Sequence, residues 1–157
     1  MILRNNYLIA QSTSLLPFAS LVILMFFSSA SIAAERIGLV KTYEPVATVI
    51  RNGVENKLEV GSEIFEGDTI VTDSKGAVGI IFSDGAVLTL GPSGKLIVEN
   101  FLFKPAEKNV SFISKIFKGT VAFASGAIGR ISPGSVKFET PTATLGLRGT
   151  KILIEVE

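Results

Sequence analysis

From Ile37 onward the sequence consists of short apolar runs that are interrupted by glycine or by Asn-Gly and Asp-Gly pairs. No stretch keeps a 3.6-residue apolar period for three helical turns, so the pattern argues against long amphipathic helices. The runs are rich in Val, Ile, Phe and Thr, which are typical of β-strands. The pattern therefore predicts an all-β domain built from short strands.

An Asn-Gly pair marks the first predicted hairpin. The apolar runs at 47–51 and 54–58 flank Asn52 and Gly53. Asn-Gly readily takes the two positive φ angles of a type I′ turn, which connects antiparallel strands. We therefore expect these two runs to pair.

A second predicted hairpin surrounds an Asp-Gly pair. The runs at 78–82 and 87–90 flank Asp84 and Gly85. Because side chains alternate along a strand, one face of the first run would carry Val78, Ile80 and Phe82. The run at 110–118 fits either a short helix or a strand, and we favour a strand.

Glycines recur at a constant spacing in the middle of the chain. Gly67, Gly76, Gly85 and Gly94 lie nine residues apart. This spacing fits a sandwich with a glycine at each corner, and it also fits a solenoid-like β-roll of short stacked strands. Calcium-binding nonapeptide repeats require Asp residues that this sequence lacks, so we expect no calcium site.

Residues 1–33 have the layout of a secretory signal peptide. Arg4 supplies a positively charged start, and the uncharged apolar segment at 15–27 is shorter than the roughly 20 residues of a membrane-spanning helix. Small residues end at Ala33, which predicts cleavage there. We therefore expect a signal-peptide helix followed by a domain at 34–157. The mature form would not span a membrane and would be periplasmic, secreted or at the cell surface.

The composition excludes several classes of chemistry. The chain contains no His, no Cys and no Trp, which rules out thiolate and imidazole catalysis, haem ligation through His, zinc fingers and disulfides. The 15 basic and 14 acidic residues are dispersed, whereas nucleic-acid binding needs a concentrated basic face. We expect no metal, no cofactor, no nucleic-acid partner and no enzymatic activity.

Asp68 and Asp84 are the candidate carboxylates. Glycan hydrolases use two carboxylates at a set separation, which makes such an enzyme one hypothesis. However, Gly67 precedes Asp68 and Gly85 follows Asp84, and an Asp beside Gly is typical of an Asx-type turn at a strand entry. We favour this structural interpretation for both residues.

Arg148 is the candidate recognition residue. Gly146 and Gly149 lie on either side of it, and glycine lets the backbone approach another strand while the guanidinium reaches a carboxylate or carbonyl oxygens. One hypothesis is recognition of an anion. We favour a structural bridge to Asp68 or Asp84, which predicts that Arg148→Ala lowers thermal stability sharply.

Aromatic and basic residues alternate at 101–104 and at 112–118. Aromatic side chains beside cations could stack on bases or sugars. We favour simple strand alternation, in which the Phe side chains point inward and the Lys side chains point outward.

Four blocks of the sequence form a recurring set of motifs: GDTIVT at 67–72, FSDG at 82–85, LGPSGKL at 90–96 and FETPTATLGLRGT at 138–150. Together they resemble the FecR domain family, and the resemblance covers the chain from about residue 58 to 157. The resemblance implies an all-β module of the bacterial cell envelope. In the best-known members, this domain belongs to a membrane regulator that relays occupancy of an iron-siderophore receptor to a sigma factor.

This chain departs from the plan of those regulators. It has no anti-sigma segment before its hydrophobic stretch and ends at Glu157 without a receptor-facing domain. We therefore expect a stand-alone exported FecR-domain protein that binds an envelope protein or polymer, for instance by lending an edge strand. The alternative is a regulatory role in iron-linked surface signalling beside a membrane regulator. The carboxylate-dependent hydrolase is the third hypothesis.

Overall fold

The computed structural model describes residues 34–44, 47–149 and 151–157. Residues Ala34–Glu157 form one compact unit. The signal peptide that we predict at 1–33 lies outside the described residues, so its prediction is not addressed by the fold.

Twelve strands and two short helices occupy the described ranges. The strands are β1 (Arg36–Glu44), β2 (Ala47–Arg51), β3 (Val54–Lys57), β4 (Glu63–Phe65), β5 (Thr69–Thr72), β6 (Ala77–Phe82), β7 (Val87–Leu90), β8 (Lys95–Lys104), β9 (Asn109–Ala124), β10 (Val136–Glu139), β11 (Thr144–Leu147) and β12 (Lys151–Val156). A 3₁₀ helix spans Pro105–Glu107, and helix α1 spans Ala127–Ile131.

The strands form one sheet whose two halves share β9. Half A consists of β4, β1, β6, β7, the C-terminal part of β9, and β12, in that order. Half B consists of β3, β2, β5, β8, the N-terminal part of β9, β10 and β11. All neighbours are antiparallel except β9 and β10, which pair in parallel.

Strand β9 passes from half B to half A at Gly119. Its φ angle is +92°, and a Cβ atom there would lie 2.5 Å from the Cα atom of Gly94. Both the left-handed backbone and the close approach require glycine. The sheet can therefore curl at this point and bring its two halves face to face.

Phenylalanine side chains join the two halves in the core. Phe82 of half A packs edge-on against Phe112 of half B, with 4.9 Å between ring centroids. Phe123 of half A packs in the same manner against Phe138 of half B, also at 4.9 Å. Aromatic pairs of this geometry stabilise a core beyond the area that they bury. The two halves thus enclose one apolar core.

The prediction of an all-β fold is confirmed. The described strands form one sheet that curls into a half-barrel and is antiparallel apart from the pairing of β9 with β10. A solenoid-like roll would instead stack its strands in parallel.

Both predicted hairpins are confirmed. Strands β2 and β3 pair across Asn52 and Gly53, whose φ angles are +51° and +78°, as a type I′ turn requires. Strands β6 and β7 pair across the Asp-Gly turn, and the shared face of Val78, Ile80 and Phe82 is buried. The segment at 110–118 lies within β9 and is a strand, as expected.

The expectation that the aromatic side chains point inward is wrong at Phe117. Phe112 and Phe117 are five residues apart on one strand, so they point to opposite faces. Phe112 is buried, whereas Phe117 is 39% exposed. The ammonium groups of Lys95 and Lys115 lie 5.3 and 5.8 Å from its ring centroid.

Both helices in the described ranges are short, and neither has the length and apolar character that are needed to span a membrane.

Candidate functional site

Asp68 is a fully buried carboxylate at the start of β5. The Nε and Nη2 atoms of Arg51, at the end of β2, donate to its two carboxylate oxygens, each at 2.7 Å. The backbone N–H of Phe65 donates to Oδ2 at 2.8 Å. A carboxylate that is removed from water and hydrogen-bonded on both oxygens has a structural role in this arrangement.

Arg51 joins three strands. Its Nη2 atom also donates to the backbone carbonyl of Glu63 on β4 at 2.9 Å, and its guanidinium carbon lies 4.3 Å from the ring centroid of Phe65. The hydrogen bonds to Asp68 hold the pKa of Arg51 above its ordinary value, although burial opposes them. We call the contact of Arg51, Glu63, Phe65 and Asp68 the ion-pair seam, because it ties half B to half A.

Asp84 connects the turn between β6 and β7 to helix α1. Its Oδ1 atom accepts from the backbone N–H of Ala86 at 2.9 Å, which is the Asx turn that the sequence predicts. Its Oδ2 atom accepts from Ile128 at 3.2 Å, and its backbone carbonyl accepts from Ala127 at 2.8 Å. The carboxylate is buried, so Asp84 also has a structural role.

Gly126 shows how closely α1 sits on this turn. A Cβ atom at this position would lie 2.4 Å from the backbone nitrogen of Ala86 and 2.5 Å from Oδ2 of Asp84. Neither the closeness of Gly126 nor the contact of Asp84 with α1 follows from the sequence, because the two segments are more than 40 residues apart. The Asp-Gly pair alone indicates only the local turn.

The expected bridge from Arg148 to Asp68 or Asp84 is wrong. Arg148 is exposed and forms no ion pair with any residue that the structure describes. Asp68 pairs with Arg51, and the oxygens of Asp84 accept from backbone N–H groups. Sequence reasoning missed Arg51, although its position directly before the Asn52 turn placed it at the end of a strand.

Three of the four candidate motif glycines have positive φ angles, and the fourth lies on a strand. Gly67, Gly85 and Gly149 have φ angles of +83°, +81° and +50°, a region that favours glycine. Gly146 lies on β11 with no atom within 4 Å of a Cβ position. The backbone therefore favours glycine at Gly67 and Gly85, whereas the φ angle of Gly149 is one that Asn52 also adopts and that of Gly146 is ordinary.

The outer edge of β12 is open. Among the strands that the structure describes, β12 pairs with β9 alone. Its outward face carries Lys151, Leu153 and Glu155, and Leu153 is 69% exposed. Ile154 points inward and is buried. An open strand edge presents backbone N–H and C=O groups to which another strand can bind.

Two grooves flank β12. One groove of about 400 Å³ crosses the outer face of β7, β9 and β12, where it is lined by Val87, Ala122 and Leu153. The other groove, of about 420 Å³, separates the end of β12 from the turn between β10 and β11. We call residues 140–147 and 151–157, together with the groove between them, the open seam.

A third groove lies beside the beginning of the described chain. It has a volume of about 530 Å³ and is lined by Ala34, Arg36, Phe103 and Lys104, among other residues. Glu66 also lines it, but its Oε2 atom accepts from the backbone N–H of Phe101 at 2.8 Å. Within the described ranges, no group of three or more acidic residues is arranged to hold a metal ion.

No family model matches this chain, and no curated protein matches it. A solved structure named "Cell surface anchoring domain" is similar to part of it. The two share 34% sequence identity over 39% of this chain and 82% of that chain, with a TM-score of 0.38.

Proposed function

We propose that this protein is a non-catalytic interaction module of the bacterial cell envelope that binds a β-strand of a partner protein along β12. The observation that carries this proposal is the open edge of β12, with an exposed apolar side chain at its centre. A strand that joins an open edge gains main-chain hydrogen bonds, and side-chain contacts then provide the specificity.

The state of the two candidate carboxylates supports a non-catalytic role. Asp68 is bound by Arg51, and Asp84 accepts hydrogen bonds from the backbone at Ala86 and Ile128. A glycan hydrolase needs carboxylates that face a substrate cleft, and both of these are buried. The absence of His and Cys from the sequence also removes imidazole and thiolate catalysis.

Two features of the sequence support the envelope location. The layout of residues 1–33 is that of a cleaved export signal, and four blocks of the chain resemble the FecR family. These blocks fall at β5, at the turn between β6 and β7, at the start of β8 and at the hairpin of β10 and β11. We therefore propose a FecR-like domain that is periplasmic or exposed at the cell surface.

The same resemblance supports a second candidate function, which is a regulatory role in iron-linked surface signalling. In that case the strand that binds β12 would belong to a membrane regulator. Deletion of the gene would then change the activity of a sigma factor under iron limitation, whereas a purely adhesive or structural module would leave that activity unchanged.

Site-specific photo-crosslinking in the producing cell tests the first proposal. A photoreactive amino acid replaces Leu153 on β12 or, as a matched control, Val54 on β3; both positions are exposed apolar residues on edge strands. We expect covalent adducts with an envelope protein from position 153 and not from position 54, in protein that begins at Ala34.

Two results would overturn the proposal. One is protein that retains Met1 in the cytoplasm, which contradicts the envelope location. The other is an equal yield of adducts, or none, at the two positions, which contradicts binding at β12.

A further inference from the structure

We propose that the outer face of half B binds an acidic polysaccharide, a linear chain of sugars that carry carboxylates, along a row of residues beside Phe117. The site does not involve β12, and its ligand is a sugar polymer, so the inference goes beyond the proposed function. We call the five residues Lys57, Thr48, Val71, Lys95 and Lys118 the lysine row.

Strand register aligns the lysine row across five neighbouring strands. Lys57 of β3 lies opposite Thr48 of β2, which lies opposite Val71 of β5. Val71 lies opposite Lys95 of β8, which lies opposite Lys118 of β9. Neighbouring strands are about 4.8 Å apart, so the row is roughly 19 Å long.

The lysine row faces solvent. Its members are exposed or half-buried, whereas the adjacent residues Val49, Ile70 and Leu96 on the same strands are buried. Because side chains alternate along a strand, the row lies on the outer face of half B. An accessible row of this length suits an extended polymer, since a small molecule would contact only part of it.

A β-bulge places Phe117 at one end of the row. The register of β8 with β9 shifts between Lys95 and Leu96, and Leu96 lies opposite Ile116, so Phe117 is an extra residue. Phe117 and Lys118 are both exposed, which regular alternation would not allow. Bulges re-aim side chains in this way and are over-represented next to functional sites.

Three lysines surround this end of the row without pairing with a carboxylate. The ammonium groups of Lys95 and Lys115 lie 5.3 and 5.8 Å from the ring centroid of Phe117, and Lys118 lies opposite Lys95. None of the three lysines forms an ion pair with a residue that the structure describes. Glu139 lies opposite Lys115 in the register of β9 with β10, but no ion pair joins them.

This arrangement is unfavourable for the unbound domain. Like charges that lie directly opposite each other on paired strands destabilise the pairing, and Lys95 and Lys118 hold such positions. Cation–π attraction to Phe117 offsets part of this cost. A bound carboxylate would reduce the repulsion further, so the site favours an anionic ligand.

The remaining members of the row favour a sugar polymer over other anions. Thr48 offers a hydroxyl to sugar hydroxyls, and Val71 offers apolar surface to sugar C–H groups. A membrane surface would need several apolar side chains that project into the lipid, whereas Val71 is half-buried and Phe117 is 39% exposed. Nucleic-acid binding needs a concentrated basic face, and the middle of the row is uncharged.

Isothermal titration calorimetry of the purified protein, produced from the full sequence, tests the inference with polygalacturonate as the probe. We expect binding that weakens as salt is raised, and no binding to dextran, a neutral polysaccharide. Lys95→Gln and Lys118→Gln should each weaken binding about two- to fivefold, as the loss of one exposed ion pair does. Lys104→Gln, at the other end of β8, changes the charge equally and should leave binding unchanged.

Further variants separate binding from folding. Phe117→Ala should weaken binding about two- to fivefold, because Lys95 and Lys115 lose the ring beside which they lie, and Phe117→Tyr should bind like the wild type. Lys118→Gln should raise the melting temperature of the unbound protein by about 1–3 °C, since it removes the repulsion from Lys95. A merely structural role of Lys118 predicts a lower melting temperature instead.

Several results would overturn the inference. They are a lack of binding to polygalacturonate, equal binding to dextran, and equal weakening by Lys104→Gln and Lys95→Gln. Tighter binding to phosphatidylglycerol vesicles or to a DNA duplex would also overturn it, because the row would then recognise a membrane or a nucleic acid. None of these results bears on β12, whose proposed role is tested by crosslinking at position 153.

Discussion

The two places where strands of half A meet strands of half B are built in opposite ways. At the ion-pair seam, Arg51 and Asp68 of half B form hydrogen bonds with the backbone of β4 in half A, and the carboxylate of Asp68 is excluded from water. At the open seam, a groove of about 420 Å³ separates the end of β12 from the hairpin of β10 and β11. One junction closes the core, and the other leaves a strand edge accessible.

This difference indicates how one domain can be fixed at one junction of its sheet and leave a strand edge accessible at the other. A half-buried ion pair constrains the halves at one junction, because the buried carboxylate of Asp68 would be left uncompensated if Arg51, whose side chain is 37% exposed, moved away. The strand at the opposite junction is then held by β9 alone among the described strands. Changes at the ion-pair seam should affect folding, and changes at the open seam should affect association.

The largest effect is expected at the ion-pair seam. Arg51→Ala leaves the buried carboxylate of Asp68 with one backbone donor, which should lower the free energy of unfolding by at most about 3–5 kcal/mol, because water screens an arginine side chain that is 37% exposed. Because the pKa of Arg51 is raised, the guanidinium keeps its charge throughout the neutral and alkaline range that is used for such measurements. Urea denaturation at neutral pH measures the loss.

Arg36→Ala is the matched control for that variant. Arg36 pairs with Glu63 at 3.4 Å, and about half of each side chain is exposed, so its loss should cost less than about 1 kcal/mol. Equal losses for the two arginine variants would show that the ion-pair seam does not hold the halves together.

The next largest effect is expected where α1 sits on the turn between β6 and β7. Gly126→Ala introduces a methyl group into backbone contacts and should cost about 1–3 kcal/mol, as overpacking does. Gly146→Ala, at the open seam, has space around it and should change stability little. Thermal melting compares the two variants. A larger drop in melting temperature for Gly146→Ala than for Gly126→Ala would show that the open seam, and not the contact of α1 with the turn, is the more tightly packed region.

A smaller effect on stability is expected from Leu153→Lys. Leu153 is 69% exposed, and substitutions at such surface positions usually change the free energy of unfolding by no more than about 0.5 kcal/mol. Urea denaturation measures the change. A loss comparable to that of Arg51→Ala would mean that β12 is part of the structural core.

The smallest effect is expected from Arg148→Ala. The sequence predicts a sharp loss of stability, but the exposed position of Arg148 implies a change within about 0.5 kcal/mol. Differential scanning calorimetry would decide between the two expectations, since a drop in melting temperature as large as that of Arg51→Ala restores the bridging role.

The elements that sequence predicts correctly are those that local chemistry determines. The φ angles at Asn52 and Gly53, the Asx turn at Asp84 and the alternation of Val78 and Ile80 all depend on residues close in the chain. The choice of Arg51 rather than Arg148 as the partner of Asp68 depends on which strands meet across the curled sheet. That choice is a property of the whole fold and leaves no local pattern.

The sequence likewise does not predict that β12 is the strand with an open edge, although it predicts binding through an edge strand. An edge exists only relative to the order of all strands in the sheet, and the parallel pairing of β9 with β10 helps to set that order.

Backbone amide hydrogen exchange, measured on the purified protein with and without the envelope protein that crosslinks to position 153, tests most directly the claim that β12 is the binding edge. If the claim holds, amides of β12 exchange more slowly when that protein is bound, while those of β3 are unaffected. Exchange in β12 that the bound protein does not change, or protection that appears at β3 instead, would contradict it.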